Sequence, residues 1–344
     1  MHLPVRRFSL ALLALATAAL SGAPTTPTRP MRPEDTPAAP ADPEENPAPT
    51  EAAPEAPPDL PPVQTWLEAQ VELARRGFSG GSIDSVRGPQ SVAALRAFQR
   101  GEGLPESGVL DPATKVVLLL TAPALMPHTL TAEELAKLHP VPTTWLDKSA
   151  LPALDYATAL ESTAERYHAS PNFLKKLNPA VNWDDLLPGT VITVPAVERV
   201  TLSGRAAQIR VRLAEHELEA LDDTGRVVVH FPVSIARNVE KRPVGELHVT
   251  VVIPDPNYTF DPDVFPESPE AKELGRKLII PPGPNNPVGV AWIGLDRPGY
   301  GIHGTPDPEK VGRTESHGCF RLANWDARTL LSLAWVGLPV IVEP

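Results

Sequence analysis

Gln208-Ile209-Arg210-Val211-Arg212-Leu213 alternates polar and apolar side chains with a period of two, the pattern of a strand with one face buried and the other wet. Asp222-Asp223-Thr224-Gly225 then reads as a turn, and the valine-rich run from Arg226 to Val233 completes a hairpin. Further on, Leu247, Val249 and Val251 alternate with His248 and Thr250, and closing strands are expected over Val290 to Leu295 and Gly337 to Val342. Residues 198–344 should therefore form one mainly β domain of roughly 145 residues, large enough to enclose its own core.

Upstream of Gln208 the period is helical. Val63, Trp66, Leu67, Val71 and Ala74 recur at offsets of three and four, and Val92, Leu95 and Phe98 begin a second stripe. Gly77, Gly80, Gly81 and Gly88 interrupt the chain between them, and Asp111-Pro112 opens a third helix that runs through Leu120. Residues 63–121 thus read as a small three-helix bundle. Residues 122–152 are proline-rich and read as a linker with one short helix, Thr131 to Leu138. From 153 to 197 the chain is compact again. Leu160, Ala164 and Tyr167 share a helical face, and Ser170-Pro171 starts a second helix that Asn178-Pro179 stops. Pro188-Gly189 then turns into a strand from Thr190 to Val194.

Arg6 and Arg7 precede an apolar stretch from Phe8 to Leu20 that ends in Ser21-Gly22-Ala23, so residues 1–23 are expected to be an export signal, too short to span a bilayer. Alanine stands where a lipoprotein would carry its lipid-bearing cysteine, which implies a soluble mature protein in the periplasm. In residues 24–62, 14 of 39 residues are proline and eight acids face Arg29 and Arg32, so this segment should be a disordered, semi-extended spacer. The formal net charge of −11 leaves no large basic face, and nucleic acid is not an expected partner.

Cys319 is the only cysteine, in Ser316-His317-Gly318-Cys319-Phe320-Arg321-Leu322, and His303 lies upstream in Ile302-His303-Gly304-Thr305. A lone thiol in an exported chain has no internal disulfide partner; it is either a small buried residue or a reactive sulfur. An unperturbed thiol is only a few per cent ionised at neutral pH, and an imidazole titrating near 6.5 can take its proton. Three N and S groups could also suit zinc, but neither a fourth ligand nor a paired cysteine motif is nearby, so no metal is expected. His216, His230 and His248 sit on strand patterns and should face solvent, while Trp292 and Tyr300 read as core or pocket wall. The stretch from Asp255 to Lys277, with Tyr258, Phe260 and Phe265 among its prolines, is long for an internal loop and reads as a lid.

Lys241-Arg242-Pro243-Val244-Gly245, Pro282-Gly283-Pro284-Asn285-Asn286-Pro287-Val288-Gly289, the His303 motif and the Cys319 motif together resemble the YkuD family of L,D-transpeptidases. The resemblance implies a YkuD-like β-sandwich with Cys319 as nucleophile, His303 as general base and the Gly304 carbonyl orienting it. It also implies His317 as a support of the pocket, and backbone amides near Gly318 and Cys319 as an oxyanion site. Arg321 would hold a substrate carboxylate or brace the loop, with Ser316 and Tyr258 as further substrate contacts. Phe320 departs from the aliphatic residue usual at its position and could reshape the pocket floor. Ala74-Arg75-Arg76-Gly77-Phe78, Gly88-Pro89-Gln90-Ser91 and Ala94 to Arg100 are similar to a peptidoglycan-binding domain of the first type. Ala164-Glu165-Arg166-Tyr167 and Leu187-Pro188-Gly189-Thr190-Val191 resemble a LysM module with a βααβ fold, whose opening strand would lie near Leu154 to Tyr156.

These resemblances imply a multidomain, wall-associated monomer with no cofactor and with peptidoglycan, both stem peptide and glycan, as its partner. The implied reaction is acyl transfer from a tetrapeptide stem through a Cys319 thioester, with release of D-Ala and formation of a 3-3 crosslink. Water or a protein lysine as acceptor would make it an L,D-carboxypeptidase or a lipoprotein anchor. A non-catalytic wall-binding scaffold is the rival of another kind.

Overall fold

The computed structural model describes residues 60–197, 202–264, 268–314 and 318–344. The expected signal and all but the last three residues of the expected spacer lie outside them.

Helices α1 (Trp66–Arg75), α2 (Pro89–Gly101) and α3 (Pro112–Val117) form the bundle read from the sequence. Thr65 and Glu68 make a reciprocal capping box at α1, Pro89 and Pro112 occupy the first turns of their helices, and the Asp111 carboxylate accepts from Thr114 N at 2.8 Å. Their apolar stripes meet in a core of Val63, Leu73, Leu95, Phe98 and Leu118, with Phe78 edge-on to Phe98 at 5.5 Å.

The segment expected as a linker is structured. Strand β1 (Leu125–Thr129), α4 (Ala132–Ala136) and α5 (Trp145–Ser149) fall inside 122–152; α6 (Ala159–Arg166), α7 (Pro171–Leu177) and β2 (Val191–Pro195) follow. β1 pairs antiparallel with β2 from Leu125↔Pro195 to Thr129↔Val191. The opening strand of this unit is therefore at 125–129, and Leu154 to Tyr156 is not a strand. Leu130, Ala164, Tyr167, Leu174, Ile192 and Val194 are its core.

The C-terminal part is mainly β. It runs through β3 (Gln208–Arg212), β4 (Glu217–Leu221), β5 (Val227–Pro232), β6 (Gly245–Pro254), β7 (Tyr258–Phe260), α8 (Pro269–Leu274) and β8 (Leu278–Ile280). After these come β9 (Ala291–Leu295), β10 (Gly301–His303), β11 (Phe320–Arg321), α9 (Asn324–Leu333) and β12 (Pro339–Glu343). The turn at Asp222 to Gly225 joins β4 to β5, so β4 is an additional strand between the two read from the sequence.

Among the described residues, eight strands form one sheet in the order β11-β10-β9-β6-β12-β3-β4-β5, and β7 pairs with β8 in a separate hairpin. The first half of β6 pairs with β12 and its second half with β9, with the register shifting between Val249 and Val251. The two arms thus curl around a single core that takes Ile209, Val211 and Phe231 from one and Ile293, Ile302 and Phe320 from the other, with Leu330 of α9 between. Ser234, just past β5, exchanges two 3.0 Å backbone hydrogen bonds with Arg321 of β11 and draws the outer edges of the curl together.

The N-terminal units are docked onto this domain. His230 N donates to Gly77 O at 3.0 Å and Ser79 N to His230 O at 2.8 Å, so the loop after α1 extends the sheet at β5. Ile83 and the 153–197 unit are joined in the same way by Ile83 N to His168 O and Ser170 N to Ile83 O. This docking corrects the reading of His230 as solvent-facing: it is 0 % exposed, covered by the helical bundle. His248 is exposed and lies 3.2 Å from Asp296 and 3.2 Å from Glu246. Among the described residues no helix is long and apolar enough to cross a membrane.

Candidate active site

β10 and β11 run parallel, with Ile302 opposite Phe320 and His303 opposite Arg321. Alternation along these strands sends Ile302 and Phe320, each 1 % exposed, into the core, and turns His303, Arg321 and Cys319 to the other face. Phe320 is therefore a core residue and not the floor of a pocket, which accounts for its tolerance of an aromatic ring. Cys319 stands one residue before β11, beside Gly301. Its thiol donates to Gly299 O at 3.4 Å and is partly exposed.

His303 is 5 % exposed. Its Nδ1 lies 2.6 Å from Gly304 O, so Nδ1 carries the hydrogen and donates it, leaving the lone pair on Nε2. The Trp292 indole stacks on the imidazole at 5.7 Å and 22°. It can lie flat because Gly294 and Gly301 leave room: a Cβ at Gly301 would sit 2.7 Å from Trp292 Cη2. Burial pushes the His303 pKa down to about 4; the Gly304 hydrogen bond partly offsets this and the Arg321 charge adds to it. At neutral pH the ring is an uncharged base.

Burial pushes the Cys319 thiol up, while the Gly301 backbone and the Arg321 charge pull it back. The resting groups are consequently neutral thiol and neutral imidazole. Arg321 acts electrostatically on both groups at once. Tyr258 of β7 is half-buried, and its phenol is raised by burial first and then by the Cys319 charge, which places it near the sulfur. Among the described residues, a Cβ on Gly318 would meet Tyr300 Cε1 at 4.0 Å. Ser316 and His317, and Phe265 of the expected lid, lie outside the described residues.

The lid region is tied to the segment once read as linker. Trp145 of α5 stacks on Phe260 at 4.5 Å and lies 6.0 Å from Tyr258, and the Glu270 carboxylate of α8 accepts from Trp145 N and Leu146 N at 2.6 and 3.1 Å. Leu151 and Leu154 complete a small core with Leu278 and Ile280.

Two polar residues were missed in the sequence. Asn324 is buried at the start of α9, where an asparagine reads as an ordinary capping residue; here its side chain lies beneath the Gly304 turn. A Cβ at Gly304 or at Gly289 would overlap Asn324 Oδ1. Glu165 reaches Asn324 Nδ2 from α6 at 3.0 Å and also accepts from the Tyr156 hydroxyl at 2.9 Å. Burial pushes its carboxyl up to about 7, against the lowering effect of those two hydrogen bonds. In the sequence it is one residue of a helical motif.

Among the described residues, ligand atoms of Glu217, Glu219 and His230 lie within 4.8 Å of one another. Glu219 is already engaged by Arg100, Arg210 and Arg212, and Glu217 by Arg212. Three guanidiniums around two carboxylates oppose a further cation, so these residues do not fit a metal ion.

The curled, mainly β domain carries Cys319 and a buried, carbonyl-anchored His303 at the adjacent strands β10 and β11. Residues 206–342 match the YkuD L,D-transpeptidase catalytic domain, and residues 63–118 match the "Putative peptidoglycan binding domain". The C-terminal part of this chain is thus similar to YkuD-type L,D-transpeptidase catalytic domains, and the segment before it to a peptidoglycan-binding domain. The chain is 26% identical over 194 residues to "Putative L,D-transpeptidase YkuD" of Bacillus licheniformis, covering 54% of this chain and 93% of that protein. It is 32% identical over 117 residues to "Putative L,D-transpeptidase YqjB" of Bacillus subtilis and 34% over 112 residues to a similarly named protein of Fuscovulum blasticum. Each of these two matches covers 33% of this chain and a little over half of the relative, 57% and 56%. Among solved structures, an L,D-transpeptidase from Xylanimonas cellulosilytica aligns over 84% of this chain and 98% of its own, with a TM-score of 0.33 and 16% identity. One from Mycobacterium smegmatis aligns over 47% and 70%, with a TM-score of 0.32 and 20% identity.

Proposed function

We propose that this chain is a peptidoglycan L,D-transpeptidase in which Cys319 is acylated and His303 is its general base. The observation that carries the reading is the pairing of β10 with β11, which sets His303, its Nδ1 committed to Gly304 O, opposite Arg321, two residues after the partly exposed Cys319 thiol, with the Arg321 charge acting on both groups. That hydrogen bond does the orienting work that a carboxylate does in a serine triad. A pKa depressed to about 4 keeps His303 unprotonated, and so available as a base, at neutral pH.

In the proposed reaction Cys319 Sγ attacks the carbonyl of the third, diamino-acid residue of a tetrapeptide stem while its proton passes to His303 Nε2. The C–N bond to the terminal D-Ala breaks, the leaving amine takes that proton, and a thioester remains. An amine of a second stem then attacks the thioester, loses its proton to His303, and leaves a 3-3 amide as the proton returns to sulfur. Amides near Gly318 and Cys319 would hold the oxyanion, with a typical contribution of about 3 kcal/mol per donor. Arg321 is suited to a stem carboxylate, because a guanidinium pairs with that group through two parallel hydrogen bonds. Tyr258 would form the opposite wall of the cleft, and His317 and Ser316 keep their expected supporting and substrate-contact roles.

The matched wall-binding domain supports an extracytoplasmic, cell-wall setting, and glycan binding by the β1–β2 unit belongs to the same reading. Chromatography of products from tetrapeptide muropeptides tests it. Release of D-Ala with a crosslinked dimer is expected. Tripeptide alone would assign water as the acceptor, and no change in the stems would support the scaffold.

A further inference from the structure

We propose that Glu165, carried by the N-terminal unit, is a positioning residue for the transpeptidase site, acting through the Asn324 amide on the turn that holds His303. The proposal rests on the reading of Cys319 and His303 given above.

Asn324 has one arrangement that satisfies its neighbours. Val290 N donates to its Oδ1 at 3.3 Å, while its Nδ2 donates to Glu165 Oε1 and Oε2 at 3.1 and 3.0 Å and to Pro284 O at 3.1 Å. Flipping the amide would set N–H against the Val290 N–H and Oδ1 against two acceptors. Glu165 supplies two of the three acceptor oxygens from outside the catalytic domain, so together with Pro284 O it fixes which way the amide points. The correctly turned Oδ1 fills the space beneath Gly304 and Gly289, where no Cβ could fit. Gly304 in turn supplies the carbonyl that holds His303 Nδ1 at 2.6 Å. Released from Glu165, Asn324 is held only by Pro284 O and Val290 N, so the amide is less firmly placed, the Gly304 peptide rests on a looser support, and the imidazole is less well aimed.

The reach of Glu165 across the boundary is itself held. Tyr156 OH donates to Glu165 Oε1, and Asn285 Nδ2 donates to Glu161 Oε1 at 2.6 Å and to Asp155 O at 2.9 Å. Leu154 N donates to Pro282 O at 2.8 Å and Asn285 N to Leu154 O at 3.0 Å, so both sides of the contact are registered by backbone hydrogen bonds. The N-terminal unit therefore completes the support of the base as well as carrying any affinity for the wall.

The test uses the full chain and measures covalent acylation of the protein by a carbapenem, separating the maximal rate constant from the half-saturating concentration. Glu165→Ala should lower the maximal rate about tenfold, as expected for a sub-ångström misplacement of a base, with half-saturation changed less than about twofold. Glu165→Gln, which still presents an acceptor oxygen to Asn324, should recover to within about threefold of wild type. Where E165A does not fold, Glu165→Asp, which draws the carboxyl back by one methylene, takes its place with the same expectation. Wild-type rates in the folded Ala or Asp variant, or a Gln variant as slow as they are, overturn the proposal alone. A wild-type protein that forms no adduct overturns the transpeptidase reading and this proposal with it.

Discussion

Arg321 touches the chemistry through charge before any substrate arrives, because its guanidinium disfavours protonated His303 and favours the Cys319 thiolate. Arg321→Ala should therefore shift the acid limb of the acylation profile upward from about 4, by up to about one unit, and slow alkylation of Cys319 by iodoacetamide at fixed pH. Arg321→Lys should retain most of both effects, and an unmoved acid limb in R321A would remove Arg321 from the site's electrostatics. Cys319→Ala should abolish acylation, and His303→Ala should slow it about 100-fold, measured by adduct formation over time. As candidates, Cys319 and His303 are legible in the sequence because a lone thiol with glycine and histidine neighbours has few structural explanations. Glu165 and Asn324 were not, since a helical glutamate and an asparagine at a helix start look ordinary until tertiary packing brings them together. His230 was misread for a related reason. Its strand pattern marks one face as polar, but nothing local announces that another module covers it.

At the scale of elements, the hairpin β7–β8 is held against α5 by Trp145, Leu151 and Leu154. Trp145→Ala should release Tyr258 from its place near Cys319 and raise KM for a stem peptide about five- to tenfold, the size of one lost aromatic stacking interaction, with a smaller change in kcat. Trp145→Phe should restore most of the affinity, and a KM unchanged in W145A would mean that α5 does not hold the flap. The strands of the curled sheet were readable where apolar residues alternate, as in β3 and β6. β1 was not, because Leu125-Met126-Pro127-His128-Thr129 contains a proline and no clean alternation, and its partner Val191–Pro195 is remote in sequence. α5 spans five residues and was equally hidden: a helix that short is stabilised by what it packs on and not by its own pattern.

For the molecule as a whole, the described modules share one body. Arg100 pairs with Glu219, and Arg226 with Glu102 at 2.6 Å, across the boundary between the helical bundle and the sheet. Glu165 makes the docking of the N-terminal unit sensitive to pH. Its folded pKa is raised from 4.5 to about 7, so the neutral carboxyl is the favoured form in the docked state. Its contribution is full below about 4.5 and is lost as pH rises through about 7, a swing on the order of 3 kcal/mol. The melting temperature of wild type relative to Glu165→Gln should consequently fall between pH 5 and 8, and a flat difference would contradict a buried, raised carboxyl. The modular order was legible from the shift between helical and alternating periods. The docking was not, because the groups that make it are single polar residues spread over three modules. The most direct measurement is intact-protein mass spectrometry, followed by peptide mapping, of the full chain incubated with a tetrapeptide muropeptide. An adduct of the stem less D-Ala, located on Cys319 and missing in C319A, is the expected result; an adduct on another residue, or turnover of the stem that persists in C319A, would contradict it.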